Sequence, residues 1–140
     1  MPGIQIILVV DDGPAAIPFY VAAFDGTCDF QQMADDGKRV LNAQISCFGT
    51  RLMVMDDFPE YRAPNGAVSL TPKSAGGATS MGHMPLDIRA EVDTAITRAA
   101  AAGALVTMPA QDMFWGDYYG SIIDPFGHQW SFGAPTKALV

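Results

Sequence analysis

Apolar residues recur along this chain with changing periods, and the changes divide it into elements. The run from 4 to 10 is apolar at all but one position and predicts a buried strand. It stops at Asp11-Asp12-Gly13-Pro14, which has the acidic cap and early proline of a helix start. Ile17, Tyr20, Val21 and Phe24 then fall at i, i+3, i+4 and i+7, one apolar face, and Gly26 ends the helix. Strands are expected over 28–34, 39–47 and 51–56, the first two joined by a turn at Asp35-Asp36-Gly37-Lys38. The order is β, α, β, β, β.

Residues 58–82, rich in Pro, Gly and Ser and without sustained periodicity, read as a connecting segment. The order then restarts with a strand over 83–89 and a helix over 91–102, where Val92, Ala95, Ile96 and Ala99 repeat the helical spacing before Gly103. CFGTRLMVM (47–55) and PFGHQWSFG (125–133) share Phe-Gly followed by a strand, 78 positions apart. Leu52 thus matches Trp130, Met53 matches Ser131 and Val54 matches Phe132. A single long-period duplication implies two βαβββ modules related by a pseudo-twofold axis, an α+β fold. Module one is 1–57 and module two 83–140, within one domain.

Hairpin arithmetic assigns faces. Asp124-Pro125-Phe126-Gly127 has the residues of a type I turn. Closed directly by a hairpin, it sets 123 opposite 128 and 118 opposite 133. His128, Trp130 and Phe132 then share the helix side with Tyr119, Ser121 and Ile123, while Gln129 and Ser131 share the other face with Tyr118, Gly120 and Ile122. The same turn at 46–49 sets Asn42 opposite Met53 and Gln44 opposite Arg51. Met53, Met55 and two amides thereby line a concave, largely apolar surface, as small-molecule pockets do. Trp115 and Asp117 precede the strand and are placed at the pocket rim. His128, by the turn, is assigned a structural hydrogen bond, since no carboxylate or nucleophile is placed to work with it.

The stretch Trp115-Gly116-Asp117-Tyr118-Tyr119-Gly120, followed by Asp124-Pro125-Phe126-Gly127-His128-Gln129-Trp130, resembles the C-terminal signature WGD-x-YG…DPFGH-x-W of the PhnB-like branch of the vicinal oxygen chelate superfamily. That superfamily includes glyoxalase I, the bleomycin resistance proteins and extradiol dioxygenases. The resemblance implies an open, barrel-like mixed sheet with helices outside and the ligand on the inner face. It also implies a homodimer, in some members with modules exchanged. The branch often has arginine where this chain has Tyr118, and histidine where it has Asn42.

The resemblance further implies a divalent ion held by His or Glu at one position early in each module's first strand and one in each last strand. These fall near Gln5, Met53, His83 or Met84, and Ser131, with Met84 the better match in its strand. His83 is the one credible ligand, and one imidazole with an amide, a thioether and a hydroxyl does not make the N/O shell of Zn, Ni, Mn or Fe. No cofactor is therefore expected; a divalent metal held through Asp56, Asp57 or Asp117 stays open.

Composition removes other classes. A net charge of −7 offers no basic surface to phosphates, so nucleic acid is not expected as a partner. The N-terminal apolar run is too short for a membrane span or signal peptide. Cys28 and Cys47 form neither a disulfide framework nor a metal spacing; they read as thiols of a cytoplasmic protein that could face one another across the hairpin at 36 and 37. No phosphate loop or nucleophile motif is present. The expected function is small-molecule binding of the bleomycin-resistance type through Asn42, Gln44, Met53, Met55, Trp115, Asp117, Tyr118, Gln129 and Ser131. The alternatives are a metal-dependent lyase, isomerase or dioxygenase with non-standard ligands, testable at His83 and Asp117, and a domain that serves only in association.

Overall fold

A computed structural model describes residues 3–62 and 70–137. Module one comprises β1 (Ile6–Val10), α1 (Gly13–Ala23), β2 (Thr27–Met33), β3 (Val40–Cys47) and β4 (Thr50–Asp56). A 3-10 turn at Pro59–Tyr61 and a short helix α2 (Pro72–Ala75) lie in the connecting segment, whose residues 63–69 are outside the described residues. Module two comprises β5 (Met81–Pro85), α3 (Arg89–Ala102), β6 (Leu105–Asp112), β7 (Asp117–Ile123) and β8 (Gln129–Pro135). The two sheets have the same strand order, β1-β4-β3-β2 and β5-β8-β7-β6, each with one parallel and two antiparallel pairings. The duplicated α+β architecture read from the sequence is therefore present, with no closed barrel.

Local chemistry explains the ends. Asp12 caps α1 by accepting from the Ala15 amide at 3.1 Å, with Pro14 in the first turn. In module two the strand begins at Met81, two residues before the expected start. It ends at Pro85 because the next residues turn into α3, where the Glu91 carboxylate accepts from the Asp87 and Ile88 amides, each at 3.2 Å.

The helices lie on one side of each sheet and share one core. Phe24 of α1 packs edge-on against Trp130 of β8 at 5.0 Å between centroids, and Phe19 against Phe126 at 5.8 Å. This widens the buried face of α1, so Ala16, Phe19 and Ala23 are buried beside the expected Ile17, Tyr20 and Phe24, while the expected Val21 is half-buried. At the junction the buried carboxylate of Asp124 accepts from the Tyr20 hydroxyl (2.5 Å), the Trp130 indole (2.9 Å) and the amides of Phe126 and His128 (2.9 and 3.0 Å). Burial, with the Asp124 charge beside it, raises the Tyr20 phenol well above its ordinary value. His128 Nε2 bonds the Val9 carbonyl at 2.9 Å, a structural bond between modules.

Both hairpin registers differ from expectation, with unequal consequences. In module one Phe48 and Gly49 form a two-residue turn, both at positive φ (48° and 70°), so Cys47 pairs with Thr50 and Gln44 with Met53. The shift is by two residues, so every side chain keeps its face. In module two the Asp124 amide bonds the His128 carbonyl (2.8 Å) and the Gly127 amide bonds the Asp124 carbonyl (3.0 Å), with Gly127 an extra residue at φ 91°. Ile123 then pairs with Gln129 and Tyr118 with Ala134, one residue from the expected register. Pro125 is the cause: it occupies the position of Cys47 but lacks the N–H that a two-residue turn needs there, so the closing pair retreats to Asp124. An odd shift inverts the faces of β7. Tyr118, Gly120 and Ile122 join Trp130 and Phe132 under the helix, and Tyr119, Ser121 and Ile123 join Gln129 and Ser131 on the open face.

Cys28 is likewise opposite Ile45, not Cys47, so the expected facing pair of thiols is not formed; both cysteines are free.

Candidate functional site

The strand pairings lay one row of residues across the open face of each sheet. In module two the row is His83 (β5), Ser131 (β8) and Ser121 (β7), with Thr107 (β6) beyond it. His83 Nδ1 and Ser131 Oγ are 2.8 Å apart, and Ser121 and Thr107 hydroxyls 2.7 Å. In module one the corresponding row is Ile7, Met53, Gln44 and Phe30. The duplication has thus become one polar row and one that is apolar but for an amide.

An aromatic wall stands beside the polar row. The Tyr119 ring stacks on His83 (5.9 Å between centroids, 19° between planes), and Trp115 meets Tyr119 edge-on at 5.4 Å. The Tyr119 hydroxyl reaches Met81 Sδ at 3.8 Å. Gly133 makes this possible: a Cβ there would lie 3.1 Å from His83 Cε1 and 3.6 Å from Tyr119 Cδ2. Trp115 is 48% exposed, whereas Trp130 is 2% exposed.

His83 lines two cavities. One, of about 770 Å³, extends past Pro85, Asp87, Arg89 and Asp117 to Lys137. The other, of about 340 Å³, lies between the modules and includes Ile6, Phe48, Arg51 and Trp130.

The residues singled out from sequence are divided by this geometry. Gln129, Ser131 and Asp117 lie on or beside the open face of module two, and Trp115 stands at its edge. Asn42, Gln44, Met53 and Met55 share the open face of module one and do not line the 770 Å³ cleft. Tyr118 is corrected: it turns toward α3, where its hydroxyl donates to Asp93 at 2.6 Å and the Arg89 guanidinium lies 4.6 Å from its ring. The bond to Asp93 raises its phenol above the ordinary value. Tyr119, assigned to the core, takes the open position instead. The sequence alone does not place Tyr119 beside His83, or Ser121 and Thr107 farther along the same row; for Tyr119 and Ser121 the available signal is Pro125, whose missing N–H moves the register.

The register also corrects the metal positions. Met84 is buried in the core, and His83 is the residue paired with Ser131; the counterpart in module one is Ile7 beside Met53, not Gln5. An alkyl chain, a thioether, an imidazole and a hydroxyl do not fit the N/O shell of a divalent ion. Among the described residues no group of three or more His, Cys, Asp or Glu side chains could hold a metal.

The model of the Glyoxalase/Bleomycin resistance protein/Dioxygenase superfamily matches residues 4–132. The chain belongs to that superfamily. It is 40% identical over 138 residues to uncharacterised proteins of Mycobacterium bovis (Mb0911c) and Mycobacterium tuberculosis (Rv0887c), spanning 99% of this chain and 86% and 77% of theirs. Among solved structures it is similar to TioX from Micromonospora sp. ML1 (TM-score 0.67, 22% identity, 99% of this chain and 100% of that one). It is also similar to a glyoxalase-related enzyme from Fulvimarina pelagi (0.72, 18%, 96% and 88%) and to the PhnB protein of Bacillus cereus (0.68, 19%, 95% and 99%). These likenesses carry the fold. No helix among the described residues is long and apolar enough to cross a membrane.

Proposed function

We propose that the protein binds a flat aromatic small molecule on the open face of module two, without the superfamily's catalytic metal. One observation carries this reading: His83 stacked on Tyr119, with Trp115 edge-on to Tyr119, forms a partly exposed aromatic wall beside a cleft of about 770 Å³ that His83 lines. Apolar walls with a few convergent polar groups are the usual lining of ligand sites, and here His83 and Asp117 line the cleft, with Gln129 on the same open face. The motif from Trp115 to Trp130 supports a place in the PhnB-like branch, and the free thiols are compatible with a cytoplasmic setting.

The protein acts as a homodimer in this reading. Ile7, Phe30, Met81 and Trp115, on or beside the open faces, are 53%, 44%, 46% and 48% exposed, and these are the apolar side chains a second protomer would cover. A second protomer covering these faces would bring Asn42, Gln44, Met53 and Met55 into the finished pocket. Light scattering that gives a monomer mass at micromolar concentration removes this part of the reading.

Trp115 provides the test, because Trp130 is buried and serves as an internal constant. Titration with 2-acetylnaphthalene should quench the Trp115 emission and raise the melting temperature. The quench should vanish in Trp115→Phe. Unchanged emission and melting temperature across naphthalene and indole probes would rule the reading out.

An enzymatic second reading has one observation in its favour, that His83 and Asp117 line the same cleft. About one transition metal per chain after purification without an affinity step, with a turnover abolished by chelation or by His83→Ala, would favour it.

A further inference from the structure

Ser131 Oγ is 2.8 Å from His83 Nδ1 and, among the described residues, has no other side-chain partner. Ser131 is buried at 2% exposure. A buried hydroxyl hydrogen left unpaired costs more than an unused oxygen lone pair, because the oxygen has two lone pairs and the hydrogen a single opportunity. The Ser131 hydroxyl therefore donates to Nδ1, which must be unprotonated to accept. The ring proton then resides on Nε2. That nitrogen has no protein partner among the described residues, and its ring lines both cavities. The stack on Tyr119, made possible by the bare Gly133, fixes the plane in which this N–H projects.

We propose that Ser131 is a positioning residue that holds His83 as the Nε2–H tautomer, and that the site selects aromatic ligands carrying a neutral carbonyl oxygen. The inference deepens the proposed function and rests on it. His83 presents a fixed donor at the edge of the aromatic wall, and a ring lying against Trp115 and Tyr119 delivers an acceptor to it. The charges favour a neutral acceptor over a carboxylate. Asp87 and Asp117 line the cleft with Arg89 and Lys137, and Arg89 is already paired with Asp112. A site built to donate to a ligand oxygen discriminates against the analogue lacking it, because the donor is then covered by the ligand and left unpaired.

The experiment compares three probes of one shape by calorimetry on the full chain: 2-acetylnaphthalene, 2-isopropylnaphthalene and 2-naphthoate. Wild-type protein should prefer the ketone over the hydrocarbon by about tenfold or more, with naphthoate weaker than the ketone. His83→Phe retains an aromatic ring and should erase the preference while both neutral probes still bind. Ser131→Ala should reduce it, and Ser131→Thr, which restores a hydroxyl, should recover it. Long-range ¹H–¹⁵N spectra at pH 8 should show the His83 proton on Nε2 in wild type and lose that single assignment in Ser131→Ala. Equal binding of ketone and hydrocarbon, or a proton on Nδ1, overturns the inference and leaves aromatic binding standing. Failure of every probe to bind overturns the proposed function and this inference with it.

Discussion

Tyr20 on α1 donates a 2.5 Å hydrogen bond to Asp124, 104 residues later, on the turn that opens β8. The bond ties module one to the turn whose geometry decides which residues of module two face outward. Removing the carboxylate strands the Tyr20 hydroxyl, the Trp130 indole and two backbone amides in the core. Asp124→Ala should therefore cost ~3–5 kcal/mol, and Tyr20→Phe, which removes one donor of four, ~1–2 kcal/mol. Urea denaturation measures both; equal effects would mean that the node is not shared.

The same bond predicts alkaline behaviour. The folded phenol of Tyr20 is raised well above its ordinary value, so the stability it contributes is fully present below the unfolded pKa of about 10. Above that pH the unfolded state loses the proton first, and stability falls as pH rises toward the folded value. Melting temperatures between pH 9 and 11 should drop more steeply for wild type than for Tyr20→Phe. Parallel curves would contradict the shift.

Two glycines at positive φ separate strain from space. A Cβ at Gly49 meets nothing within 4 Å, while at Gly127 it would lie 2.8 Å from Pro72 Cβ. Gly49→Ala should cost ~1 kcal/mol, the backbone conformation alone, and Gly127→Ala clearly more. Comparable losses would place the α2 region away from the turn.

Thiol chemistry distinguishes the cysteines. Burial pushes the Cys47 thiol up to about 11, whereas Cys28 is partly exposed. At pH 8, iodoacetamide should label Cys28 promptly and Cys47 only on unfolding. A disulfide under mild oxidant would contradict their separation in the sheet.

Much of this was legible in the sequence. The module order follows from apolar periodicity and from the Phe-Gly repeat at Phe48-Gly49 and Phe126-Gly127, which are local signals. The faces of β4 and β8 are legible too, since Leu52 and Trp130 alternate with Met53 and Ser131. What failed was the step across a turn. The face of β7 depends on whether Gly127 closes the turn or bulges out of the ladder, and that rests on one absent N–H at Pro125. The site inherits the failure: Tyr118 and Tyr119 exchange faces, and His83, separated in sequence from Ser131 and Tyr119, gains both as neighbours. The parallel pairing of β5 with β8 that creates this row has no local signature.

The most direct measurement is therefore of ring proximity in solution. Nuclear Overhauser spectra of protein with labelled His and Tyr should join the Tyr119 ring to the His83 ring, and the Tyr118 ring to the Arg89 side chain. Cross-peaks between Tyr118 and His83, with Tyr119 silent, would contradict the register on which the site rests.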